Sequence, residues 1–196
     1  MMGRGLMAGI GVLGTALLGG CEALPPPPVF PDITFAHLAP FRVDVAAVEV
    51  VEAYAAPRAD PHVEHLAPVP PATAMRRWVA DRILPVGETG TIRITIQDAR
   101  ITGAALDVNE TFSALFTTEQ AARYDGHAAM LIEVLDERRI ARALAEGQAR
   151  RDRTTPEGIN LRQRDEMLFA LTEALLADLD AALEPNIERY LGAYLR

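Results

Sequence analysis

Hydrophobic and polar positions along the chain fall into blocks that predict a strand, a helix, three strands and a second, longer helix. Val43-Asp44-Val45-Ala46-Ala47-Val48-Glu49-Val50-Val51 is rich in β-branched residues with only short-range alternation, the pattern of a strand buried on much of both faces. Residues 55–71 hold five prolines and two histidines, which predicts a long loop with little regular structure. Met75, Trp78, Val79 and Ile83 then recur at i, i+3, i+4 and i+8, with Arg76, Arg77, Asp81 and Arg82 mostly off the stripe, so a helix fits residues 72–84, stopped by Pro85 and Gly87.

Ile92, Ile94 and Ile96 alternate with Thr91, Arg93, Thr95 and Gln97 in the period of a half-buried strand. Ala99 and Ile101 continue the apolar set one position out of phase, so either a bulge near Gln97 and Asp98 restores the facing or the strand ends there. Gly126, Ala128, Met130, Ile132 and Val134 line one face of a further strand, opposite Arg123, Asp125, His127 and Glu133. Beyond the polar turn Asp136-Glu137-Arg138-Arg139, small residues Ala141, Ala143, Ala145, Gly147 and Ala149 occupy every second place. Ala and Arg also favour helix, but the strict alternation, Gly147 and the neighbouring arm's need for a partner select an antiparallel hairpin. Asn160 with Gln163 suits a helix start, and Leu161, Leu168, Leu171, Leu175, Leu179 and Ala182 make one stripe with acidic residues opposite. Pro185 interrupts it, and Ile187, Tyr190, Leu191 and Tyr194 suggest a short terminal helix in another direction.

This order predicts an α+β fold, a two-layer sandwich of an about four-stranded, mainly antiparallel sheet with two main helices on one face. The chain has 196 residues, 19 basic and 27 acidic, for a formal net charge of −8, which argues against nucleic acid as a partner. Every basic residue is Arg; with no Lys, a single Ser (Ser113) and a single Cys (Cys21), lysine chemistry, the phosphate loop, internal disulfides and most Ser or Cys nucleophile schemes drop out.

The first 20 residues have the layout of a secretory signal: a basic end at Arg4, an apolar stretch from Leu6 to Leu18, and small residues before Cys21. The apolar run would reach about 20 Å as a helix, short of a bilayer core of roughly 30 Å. Leu18-Gly19-Gly20-Cys21 resembles the lipobox of bacterial lipoproteins. That resemblance implies cleavage before Cys21, acylation of its sulfur and a mature chain tethered to the periplasmic side of a membrane; Glu22 in second place leans towards the outer one. Removal of residues 1–20 takes Arg4 with it and moves the charge to −9. Pro25 to Pro28 would extend as polyproline II, so residues 21–40 are expected to be a lipidated cysteine and stalk, unless Phe30, Ile33, Phe35 and Leu38 pack back on the domain. Residues 41–184 would form the domain and 185–196 a helical tail.

Over residues 43–183 the order of elements is similar to that of small periplasmic domains of auxiliary lipoproteins that accompany envelope ABC-type lipid transporters and assembly systems. The segment from His65 to Pro71, Arg77-Trp78 and Arg123-Tyr124 are similar to stretches of uncharacterised bacterial lipoproteins. The second likeness supplies no function; the lipobox, the missing nucleophile and lysine chemistry and an α+β domain of the size such accessories use lead to the expectation of a non-catalytic, lipid-anchored accessory that docks on an envelope complex, with no cofactor. Two other expectations stand beside it: a module binding a lipid or small apolar ligand between helix layer and sheet, and a metal-dependent enzyme using His62 and His65, although a tetrahedral site needs more ligands than that His-Val-Glu-His stretch supplies. Trp78, the sole tryptophan, belongs on the helix stripe as core or serves as a partner anchor. Phe112 and Phe116, in the 20-residue connection 102–121, would either cover the sheet edge or offer a partner surface.

Overall fold

The computed structural model describes residues 29–106 and 120–196. The β-branched run at 41–52 forms two strands, β1 (Phe41–Val43) and β2 (Ala47–Glu52). The predicted single strand breaks because the chain turns inward between them. Val43 and Val45 are both buried, and the main chain at Asp44 and Val45 lies so close to Gly87 that a Cβ there would sit 2.6 Å from it. Helix α1 (Pro71–Arg82) has Pro at N1, where the missing N–H costs nothing. It leads directly into β3 (Ile83–Pro85), a short strand absent from the sequence reading that pairs parallel with β1.

The main sheet has five strands and mixed direction, a correction to the expectation of about four mainly antiparallel strands. β2 pairs parallel with β4 (Thr91–Asp98), which requires a crossover, and α1 lies in that connection. β4 pairs antiparallel with Ala129 to Leu135 of β6 (Gln120–Leu135), and β5 (Ile101–Ala105) pairs with Ala122 to Gly126 of the same strand. β4 and β5 therefore follow one another along one edge of β6, and the register shift between Ile96 and Asp98 is where the apolar phase changes. β7 (Ala141–Pro156) takes the other edge of β6. In the turn before it, Arg139 adopts φ 61 while the Asp136 carboxylate accepts the Arg138 and Ile140 N–H groups.

The register puts Ile92, Ile94, Ile96, Ala128, Met130, Ile132, Val134, Ala145 and Ala149 on one face. That face packs against Met75 and Trp78 of α1 and Leu175, Leu176, Leu179 and Leu183 of α2 in one core. Small residues on β7 let α2 come close: a Cβ on Gly147 would meet Leu183 Cγ at 2.6 Å. The other face is polar, where Glu49 accepts from Arg93 and Arg139 across strands.

Helix α2 runs from Leu161 to Leu191 without a break, starting in a capping box of Asn160 and Gln163. The separate terminal helix expected after Pro185 does not form. Pro185 is exposed, and Ile187 and Leu191 continue the Leu183 stripe into the core. Burying those two side chains gains about 1.5–3 kcal/mol each, enough to offset roughly 3 kcal/mol for an interior proline. The final residues return to β1, where Leu195 bridges Val43 and the Arg196 N–H donates to Arg42 O. The tail is thus part of the domain, and so is the end of the expected stalk: Ile33 and Phe35 are buried, and Phe30 packs on Phe169 with ring centroids 5.3 Å apart. Among the described residues, no helix is long and apolar enough to cross a membrane.

Candidate functional site

Trp78 sits on the inner face of α1 with no exposed surface, so it is a core residue and not a partner anchor. Its Nε1–H donates to Asp180 Oδ1 at 2.6 Å, which satisfies the only polar atom of the indole. The structure does not gather His62 and His65 into one site. His62 is half-buried beside the single bridge to Thr102, whereas His65 is exposed on the short 3-10 turn Glu64–Leu66. Among the described residues, no group of three or more His, Cys, Asp or Glu side chains is arranged to hold a metal ion. Cys21, Phe112 and Phe116 lie outside the described residues.

Around His62 the side chains form a closed polar cluster. Glu64, buried to 3% exposure, accepts from the Tyr54 hydroxyl at 2.8 Å and the Ile101 N–H at 3.2 Å. Tyr54 has one proton and gives it to Glu64, so the 3.3 Å contact with His62 requires His62 Nδ1–H as donor. Burial pushes the Tyr54 phenol well above its ordinary value, and the Glu64 hydrogen bond and charge add to the shift. A phenol held neutral in this way is a poor nucleophile or base. The cluster ties the proline-rich loop to the start of β5. Tyr54 and Glu64 also form part of the wall of a surface cavity of about 480 Å³ at the start of α1, which Arg58, His65, Pro71 and Arg76 line as well. Its rim is charged. A further cavity of about 450 Å³ lies between the segment 32–38 and α2, lined by Ile33, Phe35, Leu38, Ala177 and Asp180.

A second cluster lies where α1, α2 and the segment 29–41 meet. Arg82, 2% exposed, donates Nε–H to Asp180 Oδ1 at 3.0 Å and Nη2–H to Glu184 at 3.3 Å, and its Nη1–H to Ala39 O. Its guanidinium lies 4.5 Å from the centre of the Phe41 ring. The preceding residue, Asp81, accepts from the Thr34 hydroxyl at 2.7 Å and the Phe35 N–H at 2.8 Å. Burial pushes the Asp81 carboxyl up, but the bonds from Thr34 and Phe35 and the Arg77 charge outweigh it and hold the group below its ordinary value. Together these two residues clasp the segment that follows the cysteine. Sequence reasoning placed Asp81 and Arg82 on the wet side of α1. The partners that contradict this placement are distant in sequence: Asp180 and Glu184 for Arg82, and Thr34 and Phe35 for Asp81.

On the polar face of the sheet, Arg100 Nη2 lies 3.1 Å from His127 Nδ1. Arginine only donates, so Nδ1 accepts and the ring proton sits on Nε2. Burial lowers the His127 pKa, and the Arg100 and Arg150 charges lower it further, which keeps the ring neutral.

Besides Val48 and Val50 on β2 and Leu84 on β3, the exposed apolar side chains form two groups. Ile140, Leu144 and Tyr190, each about half exposed, surround the start of β7 and the end of α2, and Leu144 and Tyr190 line a shallow cavity of about 380 Å³. There the outer edge of β7 has no strand partner among the described residues; Asn186 Nδ2 of α2 caps it at Glu146 O, 2.8 Å away. Val29, Leu66 and Leu161 lie at the opposite end, around the first turns of α2.

No protein-family model and no curated protein matches the chain. A solved structure of a dodecamer of a PelC point variant from Paraburkholderia phytofirmans is similar over 71% of this chain and 89% of its own, with 12% identity and a TM-score of 0.22.

Proposed function

We propose that this is a non-catalytic, lipid-anchored protein of the bacterial periplasm, attached through Cys21 and presenting its domain to an envelope transport or assembly complex. The observation that supports it most is the packing of the chain just after the lipobox. Phe30 meets Phe169 and Ile33 and Phe35 enter the core, so eight residues, 22–29, separate Cys21 from folded structure. A tether that short holds the domain beside a membrane surface, where its partners would be. The polar clusters favour a binding protein over an enzyme. Glu64, Asp180 and Arg82 are each occupied by structural partners, and the Tyr54 phenol is held neutral. Ile140, Leu144 and Tyr190 beside the β7 edge supply an apolar patch that suits docking.

Affinity purification of the tagged full-length chain from detergent-solubilised membranes tests the docking. Specific co-purification of envelope transport or assembly components, weakened by Leu144→Glu and Tyr190→Glu, is expected; recovery of the bait alone from cells in which it is abundant contradicts it.

A further inference from the structure

The tether's length and its point of departure fix which end of the domain meets the membrane. Residue 29 leaves the fold beside Phe30, which rests on Phe169 in the first third of α2. From Cys21 to Val29 is eight residue steps, at most about 29 Å even when fully extended. From Phe169 to the end of α2 at Leu191 is 22 residues, a rise of about 33 Å. The tether leaves the fold about 12 Å along α2 from its start and about 33 Å from its end, so the start is the end that reaches the bilayer most readily, with Tyr190, Ile140 and Leu144 at the farther one.

The near end has the surface that this placement calls for. Val29 is 93% exposed, Leu161 70% and Leu66 40%. All three belong to the first third of α2: Leu161 opens the helix, and about two turns on Val29 adjoins Phe30 on Phe169 and Leu66 adjoins Ala67, which packs with Leu168 and Leu171. In the opening turns of α2 the charges pair with one another, Arg162 with Glu166 and Arg164 with Asp165. Contact would thus come from apolar side chains entering the interface and not from attraction to headgroups.

Resting on the lipid-anchored reading, we infer that the start of α2 is a membrane-contacting surface, seated on a phospholipid bilayer through Val29, Leu66 and Leu161. The domain stands with α2 rising from the membrane, and the β7 edge and its apolar patch are turned to the periplasm.

The sequence makes the test clean, since Cys21 is the only cysteine and its sulfur is blocked once acylated. Leu66→Cys, Leu161→Cys, Leu84→Cys and Leu144→Cys are each introduced into the full-length chain, purified from membranes, labelled with an environment-sensitive fluorophore and reconstituted into phosphatidylethanolamine–phosphatidylglycerol vesicles with doxyl-labelled lipid. All four positions are exposed, so unchanged thermal melts are expected. The inference predicts a blue shift and loss of fluorescence at 66 and 161, with neither at 84 or 144. Equal quenching at all four, quenching greatest at 84 or 144, or none at any of them overturns it. The parent chain serves as a control: label taken up at Cys21 overturns the anchor itself, whereas an unlabelled parent with the wrong quenching pattern overturns only the orientation.

Discussion

Asp180→Ala tests whether the buried clasp holds the tether segment to the core. The carboxylate accepts from Trp78 Nε1 at 2.6 Å and Arg82 Nε at 3.0 Å, and both donors are 0–2% exposed. Losing it strands the indole N–H, worth about 1–3 kcal/mol, and removes the nearest countercharge of a buried guanidinium. Breaking a buried pair from one side costs about 3–5 kcal/mol. Arg82 keeps Ala39 O and Glu184, so the lower figure, about 3 kcal/mol, is expected. With a urea m-value of about 2 kcal/mol/M, the midpoint should fall by roughly 1.5 M. Asp180→Asn keeps an acceptor and should lose distinctly less. Because Ala39 and Phe41 both lean on Arg82, hydrogen exchange over 33–41 should quicken in Asp180→Ala before the rest of the domain responds. A change within about 0.5 kcal/mol, the range of an ordinary surface substitution, would refute the clasp. So would Asn being as damaging as Ala.

Gly147→Ala should destabilise by about 1–3 kcal/mol in thermal melts, although alanine ordinarily improves on glycine in a strand, because its Cβ would press on Leu183 Cγ and shift α2. Asn160→Ala should cost about 1 kcal/mol by removing the acceptor of the Gln163 N–H at the start of α2. The Asp81 carboxyl lies below its ordinary 3.8 in the fold, so its stabilisation is complete above that value and is lost as pH falls below it. Urea titrations from pH 5 to 3 should accordingly show a steeper loss for the parent than for Asp81→Asn.

The two layers were legible wherever local periodicity and tertiary contact agree. The alternating isoleucines of β4, the small residues of β7 and the capping box of α2 each announce their element because the same face that repeats in sequence is the face that packs. Breaks were less legible. The division between β1 and β2 depends on Gly87 approaching from some 40 residues away, and the continuity of α2 through Pro185 depends on Ile187 and Leu191 reaching the core. The extra strands β3 and β5 are short, three and five residues, and take their stability from partners and not from pattern. The clasp was hidden for the same reason: an arginine facing water and one facing a distant Asp180 read alike in sequence. Tyr54 lies eight residues before His62 and Glu64 lies within the His-Val-Glu-His stretch, yet nothing local says that the three side chains satisfy one another.

Intact-mass spectrometry of the full-length protein, purified from the membranes of a bacterium that processes lipoproteins, reads the covalent anchor itself. The expected species begins at Cys21 and carries the mass of a diacylglyceryl group, with or without a third acyl chain. A chain that retains residues 1–20, or one that begins elsewhere with an unmodified Cys21, would contradict it.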